Sequence, residues 1–112
     1  MTEGHLDIEA LAELAEIMED EFGTLLETYL QDAESKLSLM SEALKAGDAN
    51  SLREFAHSFK GASCNVGALA LSRLCEDVEQ LARKNQITDI PLLMPGIVDE
   101  YQEVKQLLRQ KI

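Results

Sequence analysis

His57, Lys60, Gly61 and Cys64 are a set of residues in this 112-residue chain whose types and spacing could do chemistry. Set on a helix at about 100° per residue, Lys60 falls about 60° to one side of His57 and Gly61 about 40° to the other. Cys64 lies close beneath the histidine, two turns on. The apolar stripe of the same segment, Leu52, Phe55, Ala56, Phe59, Ser63 and Val66, centres near Phe59, about 160° away from His57, so the imidazole points to solvent. A neutral imidazole with an ordinary pKa near 6.5 is a competent nucleophile at neutral pH. A neighbouring ammonium opposes its protonation and can pair with an incoming phosphoryl oxygen. Glycine inside a helix costs about 1 kcal/mol relative to alanine, which suggests that another surface approaches at Gly61. The alternative is an ordinary solvated helix face with Gly61 an accident of packing, and spacing alone leaves both readings open.

Helices must position these residues. Ile8, Leu11, Leu14, Ala15 and Met18 recur every three or four positions and predict a short amphipathic helix over Leu6 to Met18, with Asp20 able to cap the next. Phe22, Leu26, Tyr29, Ala33, Leu37, Met40 and Leu44 carry the same spacing through a long second helix of about 35 Å. Gly47 suits a left-handed C′ position and Asp48 an N-cap, so a third helix is expected from about Ala49 to Val66, stopped by Gly67. A fourth, from about Leu69 to Lys84, turns Leu71, Leu74, Cys75, Val78, Leu81 and Ala82 inward, and Asn85 breaks it. Pro91, Pro95 and Gly96 interrupt the pattern before Ile97, Tyr101, Val104 and Leu108 restart it. Short connections make consecutive helices antiparallel. The expected fold is all-α, an antiparallel four-helix bundle with a short additional N-terminal helix across it, in a single domain over residues 1–112.

Composition agrees. The chain is 46% hydrophobic and 4% aromatic, with 6 Gly and 2 Pro, a helical rather than a sheet-forming balance. Its net charge of −11 opposes nucleic acid and anionic membrane surfaces as partners. No stretch reaches the roughly 20 apolar residues of a membrane span, and Met1-Thr2-Glu3-Gly4-His5 lacks the basic-then-apolar order of a signal peptide, so a cytoplasmic location is expected. Cys64 and Cys75 read as small, reduced, packed residues rather than a disulfide, and no metal-ligand spacing is present.

The stretch from Ala56 to Ala68, AHSFKGASCNVGA, closely resembles the active segment of histidine-containing phosphotransfer domains: a His, a Lys-Gly pair three and four residues on, and an Asn-x-Gly-Ala end. The similarity extends to Gly47-Asp48 upstream and Leu74-Cys75-Glu76-Asp77-Val78-Glu79 downstream, and the helix plan fits nearly the whole chain. The resemblance implies that His57 is phosphorylated, that Lys60 steadies the phosphoryl group, and that Gly61 and the small residue at position 64 make room for a docking receiver domain. Cys64 stands where such domains commonly carry Ala, Ser or Gly, and its thiol is expected to be inert rather than redox-sensitive. In some family members a polar side chain of the next helix bonds the inner imidazole nitrogen. The matching position is Glu79, for which an exposed glutamate on a solvated helix edge is the simpler account.

The implied function is that of a phosphorelay intermediate in two-component signalling. His57 takes a phosphoryl group from the aspartyl phosphate of a receiver domain of a hybrid sensor kinase and passes it to a response-regulator receiver. One His and one Lys are an incomplete site for a loose phosphoryl transition state, so the Mg²⁺ and acidic pocket are expected in the partner, with no cofactor of the chain's own. No nucleotide-binding loop is present, so the chain is expected to be a carrier without an ATP site rather than an enzyme. Docking needs apolar contacts, for which some of Leu11, Leu14, Ile17 and Met18 are candidates, with burial in the core as the rival. Three other readings compete. A helical adaptor with an incidental His57 is opposed by the intact His-x-x-Lys-Gly spacing. A piece of a larger hybrid or chemotaxis-type kinase is disfavoured by a chain that begins at Met and finishes soon after its last helix. A zinc or hydrolytic enzyme using His5 and His57 lacks a third ligand or carboxylate cluster. A monomer is expected.

Overall fold

The computed structural model describes residues 4–112, so the reading of the extreme N-terminus rests partly on Met1, Thr2 and Glu3, which lie outside the described residues. Five α-helices follow one another: α1 (Ile8–Met18), α2 (Phe22–Ala46), α3 (Ala49–Asn65), α4 (Leu69–Arg83) and α5 (Met94–Arg109), with 3-10 turns at Glu19–Glu21 and Ile87–Leu92.

Local chemistry sets most of the boundaries. Asp7 opens α1 by accepting the Ala10 N–H at 3.2 Å. Gly47 takes the left-handed conformation (φ 68°) at the end of α2, and Asp48 accepts the Ser51 N–H at 3.0 Å to open α3. Two expectations fail. Asp20 caps nothing: the chain passes through the 3-10 turn directly into α2, whose start has no side-chain cap. Pro95 and Gly96 do not precede the last helix but lie in its first turn, where a proline has no intrahelical N–H to lose. The interruption is carried instead by Asn85 at φ 58° and the turn around Pro91.

Helices α2 to α5 form the bundle, neighbours antiparallel. Tyr29 near the start of α2 meets Ser63 near the end of α3, and Lys60 late in α3 meets Ser72 early in α4. The core between them holds Leu26, Leu30, Met40, Leu52, Phe59, Leu71, Val78, Ile97, Tyr101, Val104 and Leu108, all nearly or fully buried. Phe59 packs edge-on against Tyr101, with ring centroids 6.3 Å apart. Burying a side chain of this size contributes roughly 1.5–3 kcal/mol. Tyr101 also donates to the Glu34 carboxylate at 2.8 Å, and burial pushes its phenol well above the ordinary value. Leu37, Leu44, Phe55, Leu74 and Leu81, expected inward, pack only partly buried at the rim.

Helix α1 lies outside the four-helix core and is tied to the turn that ends α3. The Asp7 N–H donates to the Gly67 carbonyl at 2.8 Å, and Leu6 and Leu11 sink into the core on either side. Gly67 has φ 78°, and a Cβ there would stand 3.1 Å from the Asp7 carbonyl oxygen. Glycine is required both by the left-handed turn and by this close approach.

Candidate functional site

Helix α3 buries Leu52, Ala56, Phe59 and Ser63, and that registration turns His57 outward, its side chain 66% exposed. Helix α4 buries Leu71, Cys75, Val78 and Ala82, and with them Glu79, whose side chain is only 2% exposed. Glu79 is therefore not on a solvated helix edge: position 79 follows directly on Val78 at the wall between α3 and α4, and the edge reading is corrected. Its Oε2 lies 2.9 Å from His57 Nδ1 and accepts from Arg83 Nη2, also at 2.9 Å. Lys60 Nζ stands 2.6 Å from Oε1, close enough for an ion pair but off the line of a good hydrogen bond. The ammonium also donates to Glu76 Oε1 at 3.3 Å, and Gln80 donates to the other oxygen of Glu76.

A buried carboxylate survives only when it is paired. Burial raises the Glu79 carboxyl, but Lys60 and His57 outweigh it and hold it below the usual carboxylate value. Glu79 is thus ionised near neutral pH and can only accept, so His57 Nδ1 carries the hydrogen of that bond. Nε2 makes no hydrogen bond among the described residues and is the ring atom left for reaction. Lys60 is raised by Glu79, and its charge is divided between two carboxylates rather than standing bare beside the imidazole. Ser72 Oγ donates to the Lys60 carbonyl at 3.1 Å and fixes α3 against α4 at this level.

Gly61 meets nothing within 4 Å of where a Cβ would sit. The bundle's own packing does not require glycine there; the missing side chain clears space on the outside. Cys64 is exposed and Cys75 buried, both free thiols. Packing inside the protein therefore describes Cys75, whose thiol burial pushes up to about 12, but not Cys64.

On the opposite side of His57, α1, α2 and α3 border a cleft of about 510 Å³ lined by Leu14, Met18, Leu25, Thr28, Ala62 and Asn65, among others. Leu14 and Met18 are partly exposed, and Ile17 is 76% exposed. Leu11 is buried and belongs to the core. His5 is remote from this constellation in its pairing: its Nδ1 lies 2.8 Å from Glu100 on α5. Among the described residues no group of three or more His, Cys, Asp or Glu could hold a metal ion, and no helix is long and apolar enough to cross a membrane.

Sequence reasoning set His57, Lys60, Gly61 and Cys64 on one exposed patch; His57, Gly61 and Cys64 are exposed there, whereas Lys60 turns onto Glu79 and is half-buried. It missed Arg83 and the bridging role of Glu76. The i,i+4 spacing of Glu79 and Arg83 on α4 was a signal for the first. Glu76 to Lys60 is a contact between helices, for which no local pattern exists. The walls of the cleft contributed by Leu25 and Thr28 were missed for the same reason.

A family model described as Hpt domain matches residues 24–107. The crystal structure of histidine-containing phosphotransfer protein B (HptB) from Pseudomonas aeruginosa PAO1 is similar at a TM-score of 0.93 and 43% identity, covering 96% of this chain and 93% of that one. The HPT domain of a sensor hybrid histidine kinase from Shewanella shares the fold at a TM-score of 0.78 and 20% identity, covering 96% and 92%. A histidine-containing phosphotransfer protein from rice does so at 0.84 and 16%, covering 95% and 79%. No curated protein sequence matches the chain.

Proposed function

The chain belongs to the Hpt domain family and works in two-component phosphorelay signalling, and from that premise we propose that His57 is its phosphoryl carrier. The observation that carries this reading is the division of labour between the two ring nitrogens. Nδ1 donates to an ionised, buried Glu79 at 2.9 Å, which holds the tautomer and leaves the Nε2 lone pair on the solvent side of an exposed ring.

The step balances without a proton in flight. The Nε2 lone pair attacks the phosphorus of a partner's aspartyl phosphate in line, an N–P bond forms, and the P–O bond breaks with its electron pair going to the aspartate carboxylate. Nδ1 keeps its hydrogen throughout, and Glu79 balances the positive charge of the phosphorylated ring. Lys60 then swings a short way from Glu79 toward the phosphoryl oxygens. The Mg²⁺ and acidic pocket of a receiver domain supply the remaining charge stabilisation, so the chain acts as a carrier whose site the partner completes. The donor is a receiver of a hybrid sensor kinase and the acceptor a response-regulator receiver. Gly61 and Cys64 leave the clearance for them, and Leu14, Ile17 and Met18 offer the apolar contact. The working unit in this reading is a cytoplasmic monomer.

Wild type and His57→Gln are incubated with phosphorylated receiver domains and the label is treated with acid and base. An acid-labile, base-stable label absent from the variant supports the assignment; a label that persists in the variant overturns it.

A further inference from the structure

The carboxylate under His57 is shared more widely than orientation of the ring requires. Glu79 Oε2 bonds both His57 Nδ1 and Arg83 Nη2, each at 2.9 Å, while Oε1 faces Lys60 at 2.6 Å. A carboxylate paired with an imidazole alone favours the imidazolium, which has no lone pair with which to attack phosphorus. Here two permanent cations, Lys60 and Arg83, meet two carboxylates, Glu76 and Glu79, so the surroundings of the ring are neutral before it binds a second proton. On α3 itself Arg53 and Glu54 stand about one turn before His57, Arg53 bonded to Asn50 at 3.1 Å. From α2, Asp32 lines the cleft on the far side. Among the described residues Glu79 is the carboxylate in ion-pair contact with the imidazole.

We propose that Arg83 is a positioning residue for the transfer reaction: sharing Glu79 Oε2 with the ring, and opposed by Glu76, it sets how strongly that carboxylate holds charge on His57. Arg83 touches neither the ring nor the phosphoryl group; it draws off part of the charge that would otherwise stabilise the imidazolium. Glu76 works in the opposite sense by occupying Lys60. The inference rests on His57 being the carrier, and it gives the charged carboxylate beneath the ring counterions other than the ring itself.

The test compares wild type, Arg83→Gln, Arg83→Lys and Glu76→Gln. Both residues reach solvent, so the variants keep the fold, which thermal denaturation checks. The titration midpoint of the His57 ring is read by ¹⁵N NMR in the absence of any partner, and the pH profile of phosphoryl uptake is read with a phosphorylated receiver domain. Arg83→Gln should move the midpoint up by about half a unit to one unit, and Glu76→Gln should move it down by a similar amount. Arg83→Lys should restore most of the wild-type value, and the uptake profile should shift with the midpoint. Midpoints that stay put, or that move in the same direction in Arg83→Gln and Glu76→Gln, overturn the proposal. So does an uptake profile that ignores a shifted midpoint, and that result leaves the carrier assignment standing, because His57→Gln tests the latter separately.

Discussion

On the α4 side of His57, Lys60 and Arg83 both pair with the buried Glu79 carboxylate, and Glu76 pairs with Lys60 from outside. On the α1 and α2 side there is an open cleft of about 510 Å³ with largely apolar walls, and α1 also carries the exposed Ile17. The first flank is over-determined: every polar group is held by another, which fixes one tautomer and one ring orientation. The second has area but little that is directional, as a surface for a macromolecular partner needs. In the proposed reading the reaction is supported from the α4 flank and the partner is met on the α1 and α2 flank, with His57 on α3 between them. Each flank should be breakable without the other.

The largest effect is expected at the root of the apolar flank. Leu11→Ala removes a fully buried anchor of α1 and should cost about 2–5 kcal/mol, read as a lowered midpoint in chemical denaturation. The His57 to Glu79 hydrogen bond, followed by NMR of the Nδ1 proton, should survive in the variant at temperatures where it stays folded; its loss would show that the flanks are one unit. Next comes the charged flank. Glu79→Ala should slow phosphoryl uptake on the order of 10–100-fold, by analogy with removal of the carboxylate that orients a metal-binding imidazole, and the variant's affinity for a receiver should change little. An uptake rate equal to wild type would mean that the imidazole needs no such support.

A smaller and more selective effect is expected from Leu14→Ser combined with Ile17→Ser. Both positions are wholly or partly exposed, so stability should stay within about 1 kcal/mol of wild type while receiver binding by calorimetry weakens roughly tenfold. Unchanged binding would remove the cleft from the docking surface. The last effect is the pH dependence. Glu79, Glu76 and Glu34 are held below their ordinary value of 4.5 in the folded chain. A lowered carboxylate contributes stability that is complete above its unfolded value and lost as pH falls through the folded one. Thermal stability should therefore be flat near neutrality and decline below about pH 4.5, and Glu79→Gln should soften that decline.

Local patterns were enough for the helices and for the exposure of His57. Apolar spacing reports which face of a helix is buried whatever it is buried against, and Gly47-Asp48 and Gly67 act through backbone geometry that neighbours hardly alter. The same logic failed at Asp20, where α1 hands over to α2 through a 3-10 turn without a cap, and at Pro95-Gly96, which a first helical turn accommodates. The roles proposed for Lys60 and Gly61 came from motif resemblance rather than from periodicity.

What the sequence could not decide is how Glu79 is surrounded. Nothing in the residues around Glu79 says that it is buried, because its burial is made by α3 lying against α4, twenty-two positions away at His57. For Cys64 the two sequence arguments disagreed, and the helix wheel that set it beside His57 holds over the composition argument for a packed thiol, because α3 turns that face to solvent. The periodic pattern within each helix determined the bundle and the outward histidine, since those depend on contacts within a few residues. Only the tertiary structure decided that a buried carboxylate, two cations and a second carboxylate would meet beneath that histidine, since charge pairing between helices follows distance in space and leaves no period in the chain.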